Sequence, residues 1–418
     1  MQKTTNLILD AHDKPKLNRW LVLSLQHVFA MFGATILVPI LTGLPISVAL
    51  FTSGVGTLIY ILCTKAKVPV YLGSSFAFIV PIQLIVGFEP GMSTSGLYFG
   101  SVLTGLLIVG VIYTIVSLVV KLIGTGWIDK YLPPIVIGPM IIIIGLGLAG
   151  VAVNSAGFID GGSWKEILTA VISLLIVVVI AIKAKGFLKV IPFLMGIVGG
   201  YIFAAIVGLV DFGGIGAVIV DPAQWLRIPE FMFLGFKDVD VEFLGTNISF
   251  YQLNFAAALT IAPIALVTVC EHIGDHAVLS KITEKDYLKD PGLHRTLLGD
   301  GIATMFAALV GGPANTTYGE NTSVVGMTKI GSVYVTGLAA IFAIGLSFFN
   351  VFTTLVASIP TAVMGGISII LYGFIALNGV KVLIDNKVDF SKTRNMIIAA
   401  VILVFGLGGA VVPIRIGL

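Results

Sequence analysis

Charge is what this chain has least of. Only 11% of its 418 residues are charged and 57% are hydrophobic, where about a quarter would be charged in soluble domains. A soluble protein of several domains is thereby excluded, and the composition reads as an all-α polytopic membrane protein. The 24 Lys and Arg nearly balance the 21 Asp and Glu; the basic residues lie in short loops and form no stripe, which gives no case for nucleic acid as a partner. Cysteine is scarce too. Cys63 and Cys270 both fall inside apolar runs, leaving neither a disulfide framework nor a metal-ligand spacing, and both read as small buried residues. A short basic and apolar leader with a small-residue cleavage site is also missing. Lys3, Asp10, Asp13, Lys14, Lys16 and Arg19 precede the first apolar run at Trp20, so the first span itself is expected to target the chain.

What the sequence does have is long apolar runs. A crossing helix needs about 20 apolar residues, and candidate stretches lie at roughly 20–41, 46–64, 68–87, 95–122, 133–153, 167–183, 189–210, 251–273, 297–311, 318–332, 333–356, 359–379 and 394–414. With the N-terminus taken as cytoplasmic, this count places twenty of the 24 Lys and Arg on the cytoplasmic side, the bias expected of a multi-pass protein of the cell membrane. The longest loop, about 211–250, falls outside and leaves seven spans before it. An odd number per half means that a second copy enters the bilayer upside down, the inverted repeat of many secondary transporters. A 7+7 plan needs fourteen spans; about thirteen are visible, so either one is misplaced or the last is absent before Leu418.

The two halves agree at one telling place. The third stretch holds Tyr71 to Phe78 (Y-L-G-S-S-F-A-F) and the tenth holds Asn315 to Asn321 (N-T-T-Y-G-E-N). Both are polar or Gly-interrupted and rich in β-formers, unlike the Leu/Ile runs around them. Each predicts a short β-strand leading into a half-helix near mid-membrane, which is tolerated where unpaired backbone lines a cavity.

Ionisable groups at that depth cost about 2.5–3.5 kcal/mol each on insertion scales and usually serve a site. Glu320 lies in the second interrupted stretch, and Glu271 opens E-H-I-G-D-H after the apolar run 255–270. Two carboxylates beside free backbone N–H groups near Phe76 and Gly319 suit a flat ligand with N–H donors and carbonyl acceptors in one plane, such as a pyrimidine or oxopurine imide. Phe76 could add an aromatic face. Asp275 shares the helix face of Glu271 at i, i+4, with simple solvation at a helix end as the alternative. His272 and His276 make another such pair, with no third ligand at a spacing that suits zinc. His27 reads as a satisfied interior histidine, and Ser368, Tyr372 and the Gly365-Gly366 pair as packing or cavity wall.

Six stretches together resemble the nucleobase-cation symporter family, also called nucleobase-ascorbate transporters, and within it most closely the bacterial uracil permeases. They are Ser24 to Pro39, Tyr71 to Phe78, Glu271 to Gly274, Asp290 to Arg295, Asn315 to Asn321 and Met364 to Gly373. The resemblance implies fourteen spans in two inverted repeats. It implies a cytoplasmic segment 1–19, a core domain of 20–122 and 251–356 (spans 1 to 4 and 8 to 11), and a gate domain of 123–210 and 357–418, with 211–250 as the extracellular loop. Uracil, or a related nucleobase, would be held by Glu271 and Glu320 with backbone contacts at Phe76 and Gly319, and further contacts at Ala34, Tyr318 and Tyr372. Coupling to the driving ion is linked in the family to the position of Asp275, and Glu271, Asp275 and His276 are the candidates to carry it here. It also implies import by proton symport, no cofactor beyond the proton, no enzymatic activity, and homodimers. A xanthine or purine carrier of the same family, and an anion exchanger or channel of the related fold, are the competing readings.

Overall fold

The computed structural model describes residues 7–90, 92–94, 96–127, 133–255 and 258–408. Its helices are α1 (Leu17–Thr42), α2 (Ile46–Cys63), α3 (Ile79–Val86), α4 (Gly100–Ile123), α5 (Pro134–Gly147), α6 (Ala149–Ser155), α7 (Trp164–Lys183), α8 (Pro192–Ile206) and α9 (Gly213–Val220) in the first half. In the second half come α10 (Ile264–Thr283), α11 (Leu293–Val310), α12 (Gly319–Thr328), α13 (Val333–Phe348), α14 (Asn350–Ala357), α15 (Thr361–Asp385) and α16 (Thr393–Leu407). Among the described residues, 7 helices are long and apolar enough to cross a membrane. Each of the thirteen stretches read from the sequence overlaps one of these helices or a shorter one.

Local chemistry sets the ends. α1 stops at Gly43, whose φ of 76° lets its N–H turn back to the Pro39 carbonyl, the left-handed C-terminal residue that glycine adopts without a Cβ penalty. α7 starts with a capping box in which the Ser163 side chain accepts from the Lys165 N–H and the Glu166 side chain reaches back to the Ser163 N–H, pairing donors that the first turn would otherwise leave open.

Two packing groups emerge. α2 lies against α11 and α13, α4 against α11, and α1 against α13, while α15 lies against α5, α6, α7 and α8, and α16 against α5. Glycines permit the close approaches. A Cβ on Gly54 would come 2.5 Å from the Ala340 carbonyl oxygen, and one on Gly366 would come 2.1 Å from that of Ala170. The Gly365-Gly366 pair is therefore a packing device where α15 meets α6 and α7.

At the centre, β1 (Leu72–Ser74) and β5 (Asn315–Thr317) pair antiparallel with Gly73 opposite Thr316. Extra bonds from Ser75 N to Ala314 O (2.9 Å) and Tyr318 N to Tyr71 O (3.1 Å) extend the ladder. A two-stranded ribbon leaves its outer edges open, which is costly in an apolar interior. Neighbouring helices close them: Ser53 donates to Leu72 O (2.7 Å), Leu72 N donates to Thr57 Oγ1 (2.9 Å), and Asn315 Nδ2 donates to Ala303 O (3.1 Å).

The structure departs from expectation in two places. Residues 211–250 hold α9 and most of a three-stranded sheet of β2 (Met232–Gly235), β3 (Val239–Phe243) and β4 (Thr246–Gln252), with β4 in the middle. The eighth stretch, expected at 251–273, begins as the end of β4, and its long helix α10 runs on to Thr283. β-formers such as Ile248, Phe250 and Tyr251 continue the sheet past the boundary that hydropathy alone suggested. α10 in turn continues through a polar sequence because its buried histidines find partners on neighbouring helices. The thirteenth stretch is helical to Leu407, and its expected end at 409–414 lies outside the described residues.

Candidate functional site

The β1–β5 ribbon fixes where two helices begin. After β1 the chain enters a single 3-10 turn at Phe76–Phe78 and then α3; after β5 it enters α12 at Gly319. The first N–H groups of a helix have no partner inside it and carry the positive end of its dipole. Gly73 is what lets the two crossings close up, because a Cβ there would lie 2.3 Å from the Tyr318 ring. Tyr318 is held by its hydroxyl, which donates to Ser74 O (3.0 Å) and lies 3.3 Å from Thr35 Oγ1.

Glu320 sits in the first turn of α12. Helix α10 packs against α12 and β5, and it brings Glu271 and Asp275 to that side. Thr317 donates to Asp275 Oδ2 at 2.6 Å, and Glu271 lies one turn before Asp275 on the same face of α10. Glu271, Asp275, Glu320 and Phe76 are all partly buried, and Gly319 is exposed. A Cβ built on Gly319 meets no atom within 4 Å, so there is open space beside this helix start. Ala34, Tyr318 and Tyr372 are buried in one apolar cluster, against which Phe76 packs. Glu271 and Asp275 thus stand on the helix that packs against the start of α12, where Glu320 lies, and Ala34, Tyr318 and Tyr372 form the apolar group against which Phe76 packs.

His276 goes elsewhere. It points with His272 to another face of α10, where its Nδ1 lies 2.7 Å from His272 O and its Nε2 lies 2.5 Å from the Tyr60 hydroxyl. A carbonyl can only accept, so Nδ1 carries the proton and Tyr60 donates to Nε2. His272 in turn contacts Asp300 Oδ2 through Nδ1 at 2.9 Å, with both side chains fully buried. His27 is also satisfied internally: the Asn321 side-chain amide donates to its carbonyl (3.1 Å) and lies 3.0 Å from its Nδ1.

Asp300, Thr317 and Asn321 were not singled out from the sequence. Asp300 had a usable signal, as a lone acid inside the apolar stretch 297–311. Thr317 and Asn321 lie inside the polar stretch N-T-T-Y-G-E-N, but a hydroxyl or amide takes on a role only once its partner across the fold is known. A cavity of about 810 Å³ lies apart from all of these residues, between the end of α1, α9, α14 and the start of α15, and Arg227 and Glu230 stand on its wall.

Residues 18–415 match the permease family. The chain is 47% identical over 411 residues to a uracil permease of Bacillus caldolyticus, covering 97% of this chain and 89% of that protein. To a uracil permease of Bacillus subtilis (strain 168) it is 46% identical over 415 residues, with 98% and 90% covered. To one of Escherichia coli (strain K12) it is 39% identical over 416 residues, with 98% and 89% covered. Among solved structures, the transmembrane domain of the cyanobacterium bicarbonate transporter BicA superposes with a TM-score of 0.68 at 16% identity, covering 97% of this chain and 98% of that one. The murine anion transporter Slc26a9 in its inward-facing state gives 0.65 at 15% identity, covering 95% and 66%. At such low identity these two share the fold alone. The family match over nearly the whole length and three relatives far above 30% identity decide the matter: the chain belongs to the permease family of nucleobase-ascorbate transporters, which are membrane transporters and not enzymes.

Proposed function

We propose that the protein imports uracil across the cytoplasmic membrane by proton symport. One observation carries this reading: the helix that carries Glu271 and Asp275 is bonded through Asp275 to Thr317, just ahead of the helix start that holds Glu320. Uracil is neutral and planar, with two ring N–H groups and two carbonyl oxygens. Its N–H groups would donate to the carboxylates, and its carbonyls would accept from the N–H groups at Gly319 and Phe76, with the Phe76 ring beside its face. Relatives called uracil permeases support the choice of base. A xanthine or purine carrier would present the same imide edge, and competition of labelled uracil by a panel of bases separates the two.

In this reading a proton from outside neutralises Glu271 or Asp275, uracil enters, and the loaded core moves against the gate. Base and proton then leave toward the cytoplasm. Packing supports the division: α1, α2, α4, α11 and α13 hold together as the core, and α5 to α8, α15 and α16 as the gate. The plan is two inverted repeats of seven spans with the N-terminus inside. Coupling falls to Asp275 and Glu271, and His276 serves structure. The fold's anion-carrying neighbours suggest a rival cargo, but neither interrupted stretch, 71–78 or 315–321, holds a Lys or Arg to add to the helix dipoles, and Glu320 stands in the first turn of α12, where it would repel an anion.

The decisive test is uracil binding to purified Glu320→Ala protein. It should be lost while the thermal melting point is kept; binding at wild-type affinity would remove the site. Uptake into energised vesicles that a protonophore leaves untouched would remove the coupling.

A further inference from the structure

The two helices that bring the carboxylates end close to one stretch of chain. α10 finishes at Glu284 (φ 57°) and α12 at Lys329 (φ 58°). Neither is a glycine, so both left-handed ends need support from outside the helix. Residues 7–13 run beside both. Ile8 N donates to Lys329 O (2.7 Å), Gly331 N to Leu9 O (2.8 Å), and Val333 N to Ala11 O (3.0 Å), a short parallel pairing of Leu9 with Ile330. Ser332 Oγ donates to Asp13 O at 2.6 Å. The Asp10 carboxylate forms an ion pair with Lys285, the residue just after the α10 end. Leu7 and Ala11 are buried at 4% and 3% exposure. Leu7 also lies against Gly331, where a Cβ would come 3.0 Å from Leu7 Cδ1 and 3.6 Å from Pro69 Cγ, just ahead of β1.

We propose that residues 7–13 are a strap that sets the spacing of Glu271 from Glu320, with Asp10 as a positioning residue for substrate binding. The inference rests on the two-carboxylate site proposed above. Its logic is mechanical. α12 has only 10 residues and carries Glu320 in its first turn, so a shift at its Lys329 end moves Glu320 directly. α10 carries Glu271 and is tied to the same strap through Lys285. A strap that touches both ends fixes one against the other, and a binding site tolerates displacements of only about 0.5 Å before affinity falls.

The test uses the full-length protein in membrane vesicles and reads the KM and maximal rate of uracil uptake, with Asp10→Lys, Lys285→Asp, the double reversal, and Ile8→Pro, which removes the N–H bonded to Lys329. Each single change should raise KM roughly five- to tenfold, a loss of about 1–1.4 kcal/mol, with maximal rate per molecule unchanged. The double reversal should return KM to within about twofold of wild type. Hydrogen exchange at residues 319–331 should speed up in the single variants and recover in the double. Unchanged KM in Asp10→Lys and Ile8→Pro overturns the strap, and so does a fall in rate without a change in KM. Should Glu320→Ala keep wild-type binding while the strap variants behave as stated, the site fails and the strap is left acting on a different one.

Discussion

Thr317 donates its hydroxyl proton to Asp275 Oδ2 at 2.6 Å, and this one bond joins the strand that precedes α12 to the helix that carries Glu271. Removing the donor leaves a partly buried carboxylate one partner short, a loss of about 1–3 kcal/mol. Thr317→Val should therefore lower the melting temperature of the purified protein and weaken uracil binding, while Thr317→Ser, which keeps the hydroxyl, should do neither. Wild-type binding by Thr317→Val would show that Asp275 does not need to be held.

Gly73 and Gly319 are both in the interrupted stretches, and the structure separates their roles. A Cβ at Gly73 would come 2.3 Å from the Tyr318 ring, whereas one at Gly319 meets nothing within 4 Å. Gly73→Ala overpacks a closed crossing and should cost about 1–3 kcal/mol of stability. Gly319→Ala should leave stability intact and weaken uracil binding, because the added methyl fills the space beside the helix start. Melting curves and binding isotherms on the two proteins check this, and a stability loss in Gly319→Ala would show that the space is not a ligand's.

Much of this arrangement was legible because the bilayer leaves a chain few options. An apolar stretch broken by Gly and by Thr316 and Thr317 had to be irregular backbone, and it is: β1 and β5 pair where the sequence placed two extended segments. Glu271, Asp275 and Glu320 stood out because a charge in an apolar run needs a reason. Faces were harder. Glu271 and His272 are neighbours in sequence, yet one meets the strand side and the other meets Asp300, a step of about 100° around a helix. The destination of His276 depended on Tyr60, a residue 216 positions away, and no local pattern announces such a pairing. Residues 7–13 were only part of the cytoplasmic segment 1–19, because most of their bonds run through backbone groups, which every residue has.

His276 and Asp275 offer a further contrast. With Nδ1–H bound to a backbone carbonyl and Nε2 accepting from Tyr60, His276 has no position left to pass a proton onward. Tyr60→Phe should therefore reduce stability by about 1–3 kcal/mol, the cost of an unmet buried acceptor, while leaving proton-driven accumulation per folded molecule unchanged. Asp275→Asn should keep uracil exchange across the membrane and lose accumulation. Accumulation lost in Tyr60→Phe with exchange retained would return His276 to the coupling path.

Asp10 supplies a pH prediction outside the membrane. Burial pushes its carboxyl up, but the bond to Lys285, the Ala11 N–H at 2.6 Å and the nearby charges of Lys285 and His12 outweigh it and leave its pKa below the usual 3.8. The other acid facing it, Asp13, accepts from the Asp10 N–H at 2.8 Å. A carboxylate whose pKa is depressed in the folded state adds stability above its unfolded value, and that stability is lost as pH falls through the folded one. Exchange protection of residues 7–13, corrected for the intrinsic pH dependence of amide exchange, should hold steady from about pH 7 to pH 5 and fall away only below about pH 4. In Asp10→Asn the acid step should vanish and protection should be lower at every pH. Protection that declines instead between about pH 7 and pH 6 would place the titrating group on a histidine, and the Asp10 to Lys285 pair would not be what holds the strap.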